Sequence, residues 1–532
     1  MPKIFYPDFF NDVFCPIMQP GSSSNFAGPA RIGRIARYAL KSEPKRVRIL
    51  FNPSDHFLGS LGNMMEDRGF LGGIQDFDVD DERLFDAHEL ARLAGISYEF
   101  AELSEDNVWQ DSVTFELTGE KGDTAQLVAQ SIGGGMVTTY SINGFPIRWQ
   151  ADTYALLVWG GNKSAIRKVA EWYEAQSADL VETAYVDSLT GECGVFLEFS
   201  SIPSTEVLSV SSDDLEWRLF PALLPVITTK DRKPQLFRNV EEWRQVAKER
   251  GISFVQAAIE YEKAFSGWTD EQIWTYFEKI NDILYEQIHS LEKTGYDKAK
   301  DTPNLPIYGR DWDRYLKTGK VLEDSLTQHI IIHAMSTNAK LPGTKIVPGP
   351  MGTGGGYLYS ALSAVQEAHG FSHEKVIEGL IVAAGLGAIA FTNTQASGNS
   401  GCVGESGICC AMASGAITWM AGGDGRQVEN AASMALQANL GIPCDPIPGG
   451  KEFPCITRTI RAAVTAPLYA DLALAGIDPL IPYHEVLYAI EENRKRSTPG
   501  LLHDGINVAP CAKRCQECFQ GDLMAGKLKY EA

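Results

Sequence analysis

The chain has 532 residues, 44% hydrophobic and 22% charged, a globular composition too long for one core, so two to four domains are expected. Its 47 lysines and arginines face 68 aspartates and glutamates, a formal charge of −21. That excess repels polyanions, which excludes nucleic acid and anionic membrane as expected partners and leaves a small-molecule substrate.

The opening "MPKIFYPDFFNDVFCPIMQPGSSS" lacks the apolar core of a signal peptide. The longest apolar run, "GLIVAAGLGAIAF" (379–391), falls short of a membrane span and reads as a buried core helix. A cytoplasmic protein is expected. "FAGPARIGRIARYALKS" (26–42) has helical spacing, with Pro29 near its start. "RVRILFNPS" (46–54) and "DSVTFELTG" (111–119) read as strands, and "AQLVAQSIGGGMVTTYSING" (125–144) as β-branched stretches around a glycine turn. Residues 153–200 follow the order β-α-β-β of a small regulatory module of the ACT type, or of half a ferredoxin-like fold. A linker covers 211–237. From 238 onward the pattern is helical, first with polar outer faces and, beyond 340, with small-residue faces that allow close helix packing.

Eight of the ten cysteines lie in the last 131 residues. Without a secretory signal, metal or catalytic use is favoured over a disulfide scaffold. Cys402 ("SGCVGES"), Cys444 ("GIPCDPIPGG") and Cys455 ("KEFPCITR") each stand beside glycine, proline or a small polar residue, and so at turns or helix ends. Three thiolates converging from turns suit zinc or an iron–sulfur cluster. Cys409 and Cys410, inside the apolar "GICCAMASGAI", read as packing.

The stretches "SGNSGCVGESG", "CDPIPG", "FPCITR" and "ADLALAGIDPLIPYHEV", with the spacing C-x41-C-x10-C, resemble the iron–sulfur-dependent L-serine dehydratases, or L-serine ammonia-lyases. "GSSSNFAGPARIGR" and "SIGGGMV" resemble segments of that family's β part. The resemblance implies a multidomain α+β chain: a serine dehydratase β-like α/β domain (1–150), an ACT-like domain (151–210), the linker, and an all-helical α-like catalytic domain (238–532). It implies a 4Fe-4S cluster on Cys402, Cys444 and Cys455, with one iron left open as a Lewis acid for a leaving hydroxyl. The reaction is then β-elimination from a small β-hydroxy amino acid, ending in a keto acid and ammonia. A homodimer is expected.

A substrate carboxylate needs hydrogen-bonding partners. Ser22, Ser23, Ser24 and Asn25 lie just before a helix start, where they suit a carboxylate or simply cap the helix. Ser397, Asn399 and Ser400 stand beside the first cysteine, where loop packing is the plainer reading. Arg458 follows the third and would bind a carboxylate bidentately or form a structural ion pair. Thr353 and Gly354 belong to the loose glycine-rich loop "VPGPMGTGGGYL", which lacks the Lys-Ser or Lys-Thr of a phosphate-binding loop.

The chain departs from the family pattern at substrate-facing positions. Asn25 stands where the family has histidine and cannot act as a base; Thr459 stands where it has asparagine. An altered β-hydroxy or β-thiol acid substrate is therefore expected. Among His289, His329, His333, His369, His373, His484 and His503, only His484 lies in a family-like stretch, and it joins the candidate catalytic set. Cys511, Cys515 and Cys518, spaced C-x3-C-x2-C, form a second metal site or cluster, or a cap on the open iron. The alternative from another class is a non-catalytic iron–sulfur and ACT ligand or redox sensor.

Overall fold

The computed structural model describes residues 7–53, 61–62, 64–105, 107–109, 112–210, 215–299, 307–349, 354–394, 400–443 and 455–496. Its contacts divide the chain into two compact units, one of residues 23–233 and one combining the chain up to Ser22 with everything from Pro234 onward.

In the first unit, α1 (Gly28–Ala39) leads into β1 (Pro44–Phe51), followed by α2 (Glu66–Ile74), α3 (Ala87–Leu93) and the strands β2 (Ser97–Glu102), β3 (Val113–Gly119), β4 (Thr124–Gly133) and β5 (Met136–Ile142). The sheet order is β2-β1-β3-β4-β5; β1 and β2 run parallel and the other neighbours antiparallel. The crossover through α2 and α3 makes the parallel pair reachable. α1 and α2 approach closely because glycines meet backbone where they touch. A Cβ on Gly33 would lie 2.4 Å from the Phe70 carbonyl, and one on Gly73 would lie 2.1 Å from that of Ala30.

The expected β-α-β-β pattern is present and continues. β6 (Tyr154–Gly160), α4 (Lys163–Gln176), β7 (Leu180–Asp187), β8 (Cys193–Phe199), α5 (Glu206–Val210) and β9 (Glu216–Phe220) form an antiparallel sheet in the order β7-β8-β6-β9. This is the split β-α-β of the ferredoxin-like motif. The stretch read as a linker therefore holds a strand: "EWRLF" is only five residues long and signals weakly, but it pairs with the edge of β6. Strand alternation explains the unbroken apolar run of β6. Leu156 and Val158 pack with Ile166, Val169 and Tyr173 of α4, whereas Ala155, Leu157 and Trp159 join the core of the first sheet.

The second unit is helical: α6 (Val240–Arg250), α7 (Phe254–Ser266), α8 (Asp270–Ile288), α9 (Ser290–Thr294), α10 (Gly309–Leu316), α11 (Ser325–Ala339), α12 (Gly354–His369), α13 (His373–Asn393), α14 (Ser406–Met420), α15 (Gly425–Gln437), α16 (Cys455–Leu474) and α17 (Tyr483–Arg496). Side-chain caps start several of them, among them Asn239, Ser253, Asp324 and Ser372, and Thr269 and Asp424 complete capping boxes. α13 is long and apolar enough to cross a membrane, yet 78% of its most apolar window is buried inside the unit, as expected of a core helix.

Residues 7–22 pack among these helices rather than with the strands that follow them in sequence. Phe9 stacks on Tyr261 at 5.3 Å, and the Phe9 amide donates to Glu262 Oε2 at 2.8 Å. The Tyr261 hydroxyl donates to the Pro7 carbonyl at 2.7 Å, and Met18 pairs with Ile346. A run this rich in phenylalanine signals burial but does not say where.

Gly73→Ala forces a methyl group into the Ala30 carbonyl and is expected to destabilise the sheet unit by about 1–3 kcal/mol. A lower urea midpoint with unchanged slope is the expected reading.

Candidate functional site

Cys402 opens a short turn, Cys402–Gly404, that leads into α14, and Cys455 is the first residue of α16. Both therefore stand at helix starts or turns, as their glycine and proline neighbours indicate. Cys444 lies outside the described residues, but the two residues before it are held from both sides. The Val403 amide donates to the Ile442 carbonyl at 3.3 Å, and Arg458 Nη1 donates to the Pro443 carbonyl at 2.7 Å. Gly401 makes the first approach feasible. Its φ is 87°, and a Cβ there would stand 2.7 Å from the Ile442 oxygen. Residues 442–443 are thus tied to the Cys402 turn and to the side chain of Arg458, which follows Cys455 by three residues on α16.

Cys402 is 4% exposed, its sulfur 3.0 Å from Ser406 Oγ. Burial pushes its thiol up, and Glu405 adds to this; the Ser406 hydrogen bond and the charge of Arg458 oppose it. A thiolate here needs further positive charge, which a metal supplies. Cys455 stands at the positive end of the α16 dipole. Sulfur donors at turns and helix starts, buried at Cys402 and half-buried at Cys455, fit a soft-metal centre, either an iron–sulfur cluster or zinc.

Cys409 and Cys410 differ. Both are buried inside α14, and burial pushes both thiols up, Cys410 to about 11. Cys409 Sγ donates to the Gly354 carbonyl at 3.2 Å. They pack, as read.

In the sheet unit, Ser23–Ala27 form one wide helical turn ahead of α1. The serines do not cap that helix: its N-cap is Ala27, with no side-chain bond. The Ser23 hydroxyl is fully buried without a hydrogen-bond partner, which is uncommon for a buried polar atom. The two family-like segments meet at this point. Ser131 Oγ donates to the Ser24 carbonyl at 2.7 Å, and Arg31 Nη1 to the Gly135 carbonyl at 2.6 Å. Ser22 is half-buried at the end of the segment that belongs to the helical unit.

Asn25 Nδ2 donates to Glu66 Oε1 at 3.2 Å. Glu66 and Asp67 are buried in the first turn of α2, behind Met65 in the left-handed conformation (φ 66°). Asp67 lies 2.6 Å from His88 Nε2, whose Nδ1 meets the Tyr98 hydroxyl at 2.9 Å. These acid–base groups were missed in the sequence. "MMEDRG" looks like ordinary acidic residues at a helix start, and His88 lies in a helix with no motif of its own.

The remaining candidates divide. Ser400 is buried beside Cys402. Gly354 is not part of a loose loop: Gly354–Gly356 form the buried first turn of α12, and a Cβ on Gly355 would meet the Val347 carbonyl at 2.1 Å, so these glycines serve packing. His484 lies near enough to Glu429 of α15 to favour the charged form of that carboxylate, and His484 Nδ1 is buried without a hydrogen-bond partner. Burial, with His289 and His329 alongside, pushes His333 down to about 4. His373 pairs with Glu278. Thr353, Ser397, Asn399, His503, Cys511, Cys515 and Cys518 lie outside the described residues.

Comparison with known proteins matches the family described as serine dehydratase alpha chain to residues 249–503. The "Probable L-serine dehydratase, alpha chain" of Bacillus subtilis (strain 168) is 32% identical over 301 residues, covering 55% of this chain and 98% of the relative. The chain belongs to the serine dehydratase alpha-chain family. An "L-serine dehydratase, alpha chain" of Peptoniphilus asaccharolyticus is 27% identical over 293 residues, covering 55% of this chain and 100% of the relative. The chain also resembles the "Probable L-serine dehydratase, beta chain" of Bacillus subtilis (strain 168), 36% identical over 147 residues, 28% of this chain and 66% of that relative. The chain is thus similar to relatives named for either chain type.

Gly401→Ala combines a strained φ with a clash and is expected to loosen the contact with Ile442. Faster hydrogen exchange at the Val403 amide, with exchange in the α13 core unchanged, is the expected outcome.

Proposed function

We propose that this protein is an L-serine dehydratase-type lyase that removes a β-substituent and ammonia from a small β-hydroxy amino acid, using a 4Fe-4S cluster held by Cys402, Cys444 and Cys455. The observation that carries the reading is the double anchoring of residues 442–443, to the Cys402 turn and to Arg458. A chain tied in this way just before the second cysteine supports the reading that the three sulfurs converge. When bound, such a cluster supplies an iron that accepts the leaving hydroxyl.

The chain's own groups have separate tasks. The cysteine sulfurs bind as thiolates, and the Arg458 charge favours that form at Cys402. Arg458 already donates to Pro443, so its first role is to position the chain. In the sheet unit, the unsatisfied Ser23 hydroxyl suits a substrate carboxylate, with Ser24 and Asn25 beside it. Asn25 has no basic lone pair, so proton transfer passes to another group; Glu66, Asp67 and His88 are the titratable side chains linked to that turn. The altered surroundings of the serine turn support a substrate differing from serine, with a β-thiol acid as the variant to try. The β-α-β-β-α-β sheet, of the kind that ACT modules use, is proposed as a ligand-responsive domain, and the compartment as cytoplasmic.

Protein purified without oxygen is expected to contain about four irons per chain and to release keto acid, ammonia and sulfide from L-cysteine faster than keto acid and ammonia from L-serine. Vigorous serine turnover would refute the altered substrate and leave the lyase reading standing. Cys402→Ser, Cys444→Ser and Cys455→Ser should each abolish both the iron signal and turnover, whereas Cys409→Ser keeps both. Iron content untouched by the first three changes would falsify the cluster assignment.

Ser23→Ala removes a buried hydroxyl that makes no bond, so thermal stability should hold or rise slightly. The substrate loses a hydrogen bond to its charged group, and KM is expected to rise roughly ten- to a hundredfold. An unchanged KM would remove Ser23 from the site.

A further inference from the structure

Among the described residues, one group of three metal-capable side chains lies apart from the cysteines. One donor atom from each of His289, His333 and Glu367 falls within 4.8 Å of the other two. His289 follows α8 at its junction with α9, His333 is on α11, and Glu367 is near the end of α12. α12 begins at Gly354, which accepts the Cys409 thiol proton; Glu367 is thirteen residues further on, roughly 20 Å along the axis.

Three details point to a ligand rather than to a chance gathering. His333 is 7% exposed, and its Nδ1 is buried without a hydrogen-bond partner. His289 Nδ1 lies 2.9 Å from the Tyr285 carbonyl, which can only accept, so Nδ1 carries the proton and Nε2 presents its lone pair. A backbone acceptor fixing one ring nitrogen is the usual outer support of a metal-bound histidine. Finally, His329 stands four residues before His333 on the same face of α11, with Nδ1 4.0 Å from Glu367 Oε2. The His289 and His333 rings are 4.9 Å apart.

We propose that His289, His333 and Glu367 bind a divalent transition ion of the zinc class, with His329 supporting Glu367 from outside. Two imidazoles and a carboxylate select zinc, cobalt or nickel over calcium or magnesium, which prefer oxygen throughout. Tetrahedral zinc holds its donors roughly 3.4 Å apart, so the set must contract. The side chain of Glu367 is 47% exposed and can swing in while His333 stays in place. The ion would clip α11, α12 and the α8–α9 junction together, and three protein ligands leave a position for water.

Full-length protein, prepared without oxygen and with its cysteines intact, is titrated with cobalt(II) alone and followed by equilibrium dialysis and visible absorption. One cobalt per chain is expected at this site, with ligand-field bands and without thiolate charge transfer, and displaced by zinc. Glu367→Gln and His289→Gln should each weaken that binding at least tenfold while the metal-free thermal midpoint stays the same. Cobalt binding that both variants leave unchanged, or that shows only thiolate charge-transfer bands, would place the ion on the cysteines and overturn the proposal.

Discussion

A sulfur sealed inside an apolar helical unit stays a neutral thiol unless positive charge accompanies it. Four described cysteines of the helical unit, Cys15, Cys402, Cys409 and Cys410, are nearly or fully buried, and what separates Cys402 from the last two is the backbone that carries it. The latter pair sit inside a helix, where the Cys409 thiol donates to the Gly354 carbonyl and the Cys410 sulfur meets the Thr465 hydroxyl. Cys402 sits in a turn opened by Gly401, beside Arg458 and against the segment that runs into Cys444. The helices α14 and α16 begin where these cysteines are needed, so the arrangement of the core and the placement of the sulfurs are one constraint.

The same economy of space shapes the sheet unit. α1 and α2 lie close enough for glycine to touch backbone, and this sets Glu66 and Asp67 beside the turn that carries Ser23 and Asn25. The result is a small polar interior with a serine hydroxyl left without a partner. Burying such a group without a partner is unfavourable by itself. In the other half of that unit, β6 is covered on both faces and needs no polar alternation, so its sequence is apolar throughout.

Donor chemistry sorts the titratable groups of the helical unit. Cys402 and Cys455 stand at a turn and a helix start, where the chain can converge from distant positions. Imidazole and carboxylate gather on the faces of α11 and α12, where the spacing of four between His329 and His333 is local and Glu367 is brought in by packing. Soft and borderline ions would accordingly seek different ends of the same bundle.

Much was legible in the residues themselves. Helical and strand periods revealed α1, β1, β3, the β4–β5 pair, the β-α-β-β order and the helical second half, because each depends on neighbours in sequence. Glycine and proline beside Cys402 and Cys455 revealed turns or helix ends, and an apolar surround marked Cys409 and Cys410 as packing. Other features depend on contacts between distant residues, which no local pattern encodes. They include the docking of residues 7–22 onto α7, the pairing of β9 with β6, and the meeting of Ser131 with Ser24. The gathering of Asp67 with His88, and of His289 with Glu367, belongs with them. Local chemistry named the elements and the sulfurs with the character of ligands; which side chains share a site was decided by where the helices and strands came to pack.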